Sequence, residues 1–173
     1  MSIMMLGISI ICAAETPCKQ AINRGVGSWQ DVHGITLLSH ARLSNAYNLW
    51  TSVLEAGLRG DWIETGVFRG GCSLLAARAA RAAFLAPECP KAKKARTVWL
   101  ADSFAGFPDD TENDIAKAVG GKPSKAACRL GGRDITCKQF ADHYSLDGVR
   151  EMFRRDGFAP DGARPTPAHA RAA

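Results

Sequence analysis

Two carboxylates and a group of glycines carry the chemistry that this sequence can do. Glu64 stands two residues before Gly66, and Gly70-Gly71 follow four residues further on. Asp102 ends a second apolar run, Arg96-Thr-Val-Trp-Leu-Ala-Asp102. Glycines at a strand-to-helix corner let the backbone approach a ligand closely, and the helix start beyond them offers unpaired N–H groups. An acid at the end of the next strand can accept both hydroxyl protons of a ribose. The spacing Glu64-x-Gly66-x-x-x-Gly70 is not the G-x-G-x-x-G of a dinucleotide site, nor does it end in the G-K-[ST] of a P-loop. A plainer reading stands beside this one: glycines that only permit a tight corner.

These residues need elements to hold them. Trp62, Ile63 and Thr65 suit a pleated, buried strand. The run Cys72 to Phe84 is dominated by alanine and leucine and reads as a helix. Strand, glycine turn and helix form the opening of a nucleotide-type α/β unit. Arg96 to Phe104 gives a second strand with Asp102 near its end. The interval from Glu64 to Asp102 exceeds the usual ~20 residues. One helix plus the insert Pro87-Glu-Cys-Pro-Lys91 accounts for the excess.

The Glu64-x-Gly66 corner resembles motif I of the class I S-adenosylmethionine-dependent methyltransferases. Taken with the second strand, the chain resembles the macrocin O-methyltransferase family. The blocks that carry the likeness are Gly60 to Gly71 and Arg96 to Pro108, with weaker support from Thr36 to Asn45 and Ser145 to Phe158. The resemblance implies an α/β fold: a Rossmann-like class I methyltransferase domain, here partial, with N-terminal helices and the first strands of a parallel sheet. It implies S-adenosyl-L-methionine as methyl donor and a hydroxyl of a sugar or other small molecule as acceptor. Glu64, Thr65, Gly66, Gly70, Gly71 and Ser73 map onto the loop that holds the donor's amino-acid end. Asp102 and Ser103 map onto its ribose and adenosine side. The family also implies Mg2+, but its metal ligands and catalytic acids belong to an Asp-rich stretch beyond this chain, so no metal ligand or catalytic base is assigned. Two other readings stay open: an inactive methyltransferase remnant acting as a binding module, and a nicotinamide-dependent oxidoreductase. The absent G-x-G speaks against the second.

The chain has 173 residues, enough for one domain with a real core, since 46% are hydrophobic. Only two strands are well supported, which points to a partial domain. The net charge is +5, with one basic cluster at Lys91-Ala-Lys-Lys-Ala-Arg96. No aromatic residues interleave with it, so it reads as a solvated loop and no nucleic-acid partner is expected. Six cysteines are widely spaced with no C-x-x-C pair. Free thiols in a reducing, cytoplasmic setting are expected, and no zinc spacing is present.

Residues 1–34 read as an apolar segment followed by a loop. The first 14 residues are too short for a membrane span, so no membrane is expected, and a secretory signal is the alternative. Thr36 to Leu58 reads as one amphipathic helix, with a break near Ser44 and with His40 and Arg42 on its surface. Residues 35–158 form the partial methyltransferase domain, with an insertion over about 109–140. Asp109 to Asp114 reads as an exposed loop rather than a cation site, and 142–155 as a helix N-capped by Ser145. Residues 159–173 hold three prolines and no large apolar residue, so they read as a disordered tail unable to supply a central strand. Missing strands would leave an open sheet edge, which favours self-association, so a homo-oligomer is among the expected partners.

Overall fold

The computed structural model describes residues 15–104, 128–130, 133–135, 145–159 and 168–172. Its core gathers around one helix that packs on a short parallel sheet and is flanked by the other helices. That helix, α4 (Gly71–Leu85), is buried along most of its length, because alanines and Gly71 present little bulk on any side. The elements before it are α1 (Pro17–Val26), α2 (Gln30–His33), α3 (His40–Ala56) and β1 (Trp62–Thr65). After it come a short 3-10 turn (Pro90–Ala92), β2 (Arg96–Ala101), β3 (Cys128–Leu130), β4 (Arg133–Ile135), α5 (Leu146–Arg155) and β5 (Ala168–Ala172).

β1, β2 and β5 form a parallel sheet in that order, with Glu64 opposite Leu100 and Thr65 opposite Ala101. This is the 3-2-1 half of a doubly wound sheet, so the fold is partial Rossmann-like as expected. Trp62 and Glu64 face the helices. Ile63, on the opposite face, is 64% exposed.

Several expectations change here. Residues 17–26 and 30–33 are helical, not loop. Thr16 caps α1 by accepting from the Lys19 amide, and Pro17 opens the helix where a missing N–H costs nothing. The closeness of α1 to α4 rests on Gly25, since a β-carbon there would lie 2.6 Å from Ala82 Cβ. α3 runs unbroken through Ser44, from its cap at Ser39 to a left-handed Gly57. Its buried face is Leu43, Tyr47, Trp50, Thr51 and Leu54, while Leu49 is 63% exposed. His40 and Arg42 are exposed, as expected.

Cys18 and Cys89 form a disulfide, against the expectation of free thiols. They are 71 residues apart in sequence, but α1 lies along α4 and the turn after α4 returns to the start of α1. Spacing along the chain could not show that meeting. Cys72 is free and buried. Burial and the nearby Glu64 charge push its thiol up to about 12, so it is inert.

The tail also departs from its reading. β5 pairs in parallel with β2, Arg96 opposite Ala168 through Leu100 opposite Ala172. The prolines at 160, 165 and 167 all precede it in sequence. Among the described residues β5 pairs with β2 alone, an edge position that tolerates small and charged residues better than a central one. Within the expected insertion, β3 and β4 make an antiparallel pair. Asp109 to Asp114 and the first 14 residues lie outside the described residues. α5 begins at its expected cap, where Ser145 accepts from the Gly148 amide at 3.1 Å.

The basic cluster is partly built into the fold. Lys93 caps the carboxyl end of α4 by donating to the Phe84 and Ala86 carbonyls at 2.8 and 2.6 Å. Arg96 is buried and donates to the Gly60 and Leu58 carbonyls, which fixes the approach to β1. Among the described residues no helix is long and apolar enough to cross a membrane.

Candidate functional site at the β1–β2 corner

The two carboxylates singled out in the sequence meet at one corner. β1 and β2 end side by side, and the Gly66 amide extends their ladder by donating to the Ala101 carbonyl at 3.0 Å. Directly beyond, Asp102 Oδ2 accepts from the Val67 amide at 2.7 Å, and its Oδ1 accepts from the Phe104 amide at 3.0 Å. Asp102 therefore points into the glycine corner. On the other strand, Glu64 Oε2 accepts from the Ser73 amide at 3.0 Å and the Ser73 hydroxyl at 2.5 Å.

Electrostatics set the state of this corner. Burial pushes the Glu64 carboxyl above its ordinary range. The two Ser73 bonds act in the opposite direction, and the Asp102 charge adds to the upward push. A cation brought to this point would relieve the repulsion between the two acids.

The glycines divide into two kinds. Gly66 has φ +78, and a β-carbon there would meet nothing within 4 Å, so it borders open space. Gly70, at φ +83, sits under α5: its β-carbon would lie 2.9 Å from Met152 Cε and 3.3 Å from Val149 Cγ1. Gly71 lies against backbone. Its amide donates to the Ile35 carbonyl at 2.9 Å, and a β-carbon would lie 2.7 Å from that oxygen. The structure thus brings Glu64, Gly66 and Asp102 together, and it places Gly70 and Gly71 against protein. Thr65 and Ser103 are exposed beside the corner.

Two residues that the sequence did not single out shape the corner. Phe68 and Phe104, one after each strand, have φ of 53 and 50. Left-handed backbone is rare for bulky residues and costs about 1–3 kcal/mol each. The only signal was their position after the strand ends.

A cavity of about 500 Å³ lies elsewhere, between α2, α4 and α5. Arg78 and Asp156 line it and pair at 2.6 Å, with Arg81 joining at 3.4 Å. These ion pairs tie α5 to α4. Among the described residues no three His, Cys, Asp or Glu side chains are grouped to hold a metal. The Mg2+ implied by the resemblance finds no ligand set among these residues.

Comparison with known proteins decides the family. The family model for macrocin-O-methyltransferase (TylF) matches residues 9–161, most of the chain. The chain belongs to this family. Proteins similar to it include the mycinamicin III 3''-O-methyltransferase of Micromonospora griseorubida, 39% identical over 79 residues, which is 46% of this chain and 28% of that protein. The 8-demethyl-8-(2,3-dimethoxy-alpha-L-rhamnosyl)-tetracenomycin-C 4'-O-methyltransferase of Streptomyces olivaceus is 39% identical over 74 residues, 43% of this chain and 25% of that one. The demethyldecarbamoylnovobiocin O-methyltransferase of Streptomyces niveus is 37% identical over 81 residues, 47% and 28%. The matched stretches thus span about a quarter of the length of these curated relatives. A solved structure of the O-methyltransferase NovP overlaps 88% of this chain and 61% of its own, with TM-score 0.45 and 22% identity.

Proposed function

We propose that this macrocin-O-methyltransferase family chain forms the donor-binding part of an S-adenosylmethionine-dependent O-methyltransferase. The acceptor is a hydroxyl of a sugar or other small molecule. The observation that carries this reading is the convergence of Glu64 and Asp102, from adjacent parallel strands, on the open side of Gly66.

The residues fit the donor. Both Ser73 bonds fall on Glu64 Oε2, and the other carboxylate oxygen suits the ammonium of a methionine tail. Gly66 bears no side chain, so the tail can lie along the backbone. The Asp102 oxygens each hold one amide and retain lone pairs for ribose hydroxyls. When bound, S-adenosylmethionine supplies a methyl group on a positively charged sulfur. The chain's part is to bind and orient it, and fixing reacting groups in place supplies much of the rate in such displacements. The relatives' names suggest the acceptor class: mycinamicin III, a rhamnosyl-tetracenomycin and demethyldecarbamoylnovobiocin.

Equilibrium dialysis with S-adenosylmethionine, competed by S-adenosylhomocysteine and by NADH, tests the reading. Competition by the homocysteine analogue alone is expected. Absence of retention at millimolar ligand, or displacement by NADH alone, overturns it.

A further inference from the structure

The Ser73 side chain is fully buried at the first turn of α4. A buried hydroxyl must find a partner, and this one spends its proton on Glu64. The Ser73 amide, an unpaired donor of the first helical turn, lands on the same oxygen. Both bonds therefore converge on Oε2, at 3.0 Å from nitrogen and 2.5 Å from oxygen.

We propose that Ser73 is a positioning residue: it clamps one oxygen of Glu64 so that the other is presented, ionised, to the ammonium group of the bound ligand. This rests on the donor-binding reading above, and it changes the part played by Ser73. The resemblance places Ser73 in the ligand-binding loop. Its hydroxyl instead acts through Glu64 and touches no ligand. Charge-assisted bonds of this kind are short and roughly twice as strong as neutral ones. A carboxylate held in one rotamer also loses less freedom when the ligand arrives.

The clamp has electrostatic work to oppose. Among the described residues the titratable groups that face Glu64 are Asp102, from the end of β2, and Cys72, from the start of α4. Neither is a cation. Burial and Asp102 both favour the protonated form of Glu64, and the Ser73 bonds favour the ionised form. Without the hydroxyl, the carboxyl keeps its proton to higher pH and offers an ammonium group nothing to bind.

Two readouts on the full chain separate this proposal from the reading beneath it. The first is the carbon-13 chemical shift of the Glu64 carboxyl against pH without ligand, assigned by its loss in Glu64→Gln. In Ser73→Ala the midpoint is expected to move up. The second is calorimetric affinity for S-adenosylmethionine against pH. In Ser73→Ala affinity at neutral pH is expected to fall about tenfold, and the acid limb to move up with the carboxyl. An unmoved carboxyl midpoint overturns the proposal, whatever the affinity. A moved midpoint in a wild-type chain that binds no S-adenosylmethionine keeps the clamp and removes the donor reading. If Ser73→Ala fails to fold, Ser73→Cys, close in volume and a much weaker donor, carries the same test. Its midpoint must then lie above that of the wild type.

Discussion

The Asp102 carboxylate accepts the Val67 amide proton across the ends of two parallel strands, at 2.7 Å. One residue thereby does two jobs. It shapes the corner by satisfying an amide that the strand ladder leaves over, and it holds a negative charge where a ligand's hydroxyl groups would come. Removing the side chain leaves the Val67 and Phe104 amides without this acceptor. Asp102→Ala is expected to lower unfolding free energy by about 1–3 kcal/mol in urea titration. Asp102→Asn offers one acceptor oxygen for two amides and is expected to fall between.

The glycines at the corner should respond in opposite ways. Gly71→Ala drives a β-carbon to 2.7 Å from the Ile35 carbonyl oxygen, a backbone atom that cannot step aside. It is expected to lower stability by about 1–3 kcal/mol, as overpacking does. Gly66→Ala meets open space and pays only for its left-handed φ, about 1–2 kcal/mol. Its main effect is expected on ligand affinity. Thermal unfolding and dialysis on both variants distinguish the two, and equal affinity losses would undo the division.

The Cys18–Cys89 bond closes a long loop and fastens α1 to the turn after α4. Reduction is expected to cost about 2–4 kcal/mol. Unfolding curves with and without reductant, with the bridge confirmed by peptide mass mapping under non-reducing conditions, check this. Curves that coincide for a chain shown to hold the bridge would contradict it.

Glu64 gives a pH signature. Its carboxyl titrates higher in the folded chain than in the unfolded one, chiefly through burial. Between those two values the folded state binds more protons. Stability from this group is therefore greatest below the ordinary glutamate value and is lost as pH rises through the folded value. Glu64→Gln removes that contribution, so above the folded value the variant is expected to melt at a higher temperature than the wild type while losing ligand affinity. A variant that melts lower there, with Ser73 still bonded to the amide oxygen, would contradict the sign.

The corner was legible because its signals are local. β-branched and aromatic residues, an acid, a glycine and an alanine-rich run follow one another within 24 positions, from Asp61 to Phe84. Asp102 followed from the same logic one strand later. The helix α1 was legible in principle, from Thr16-Pro17 at its start and Gly27 after its end, but its polar face hides the apolar stripe Cys18, Ala21, Ile22 and Val26. What could not be read is non-local. The disulfide depends on how α1 lies on α4. The packing role of Gly70 depends on α5, which arrives some 80 residues later. The Glu64–Ser73 clamp needs the exact turn between strand and helix. β5 pairs by backbone register with β2, and its own composition carries no strand signal.

The most direct test of the corner as the donor site is photochemical. The full chain is irradiated with methyl-labelled S-adenosylmethionine, with and without excess S-adenosylhomocysteine, and the labelled tryptic peptides are mapped. Label confined to peptides 60–69 and 70–78, and lost on competition, is the expected result. Label that survives competition, or that falls on the helix at 146–155 beside the cavity between α2, α4 and α5, would contradict the account.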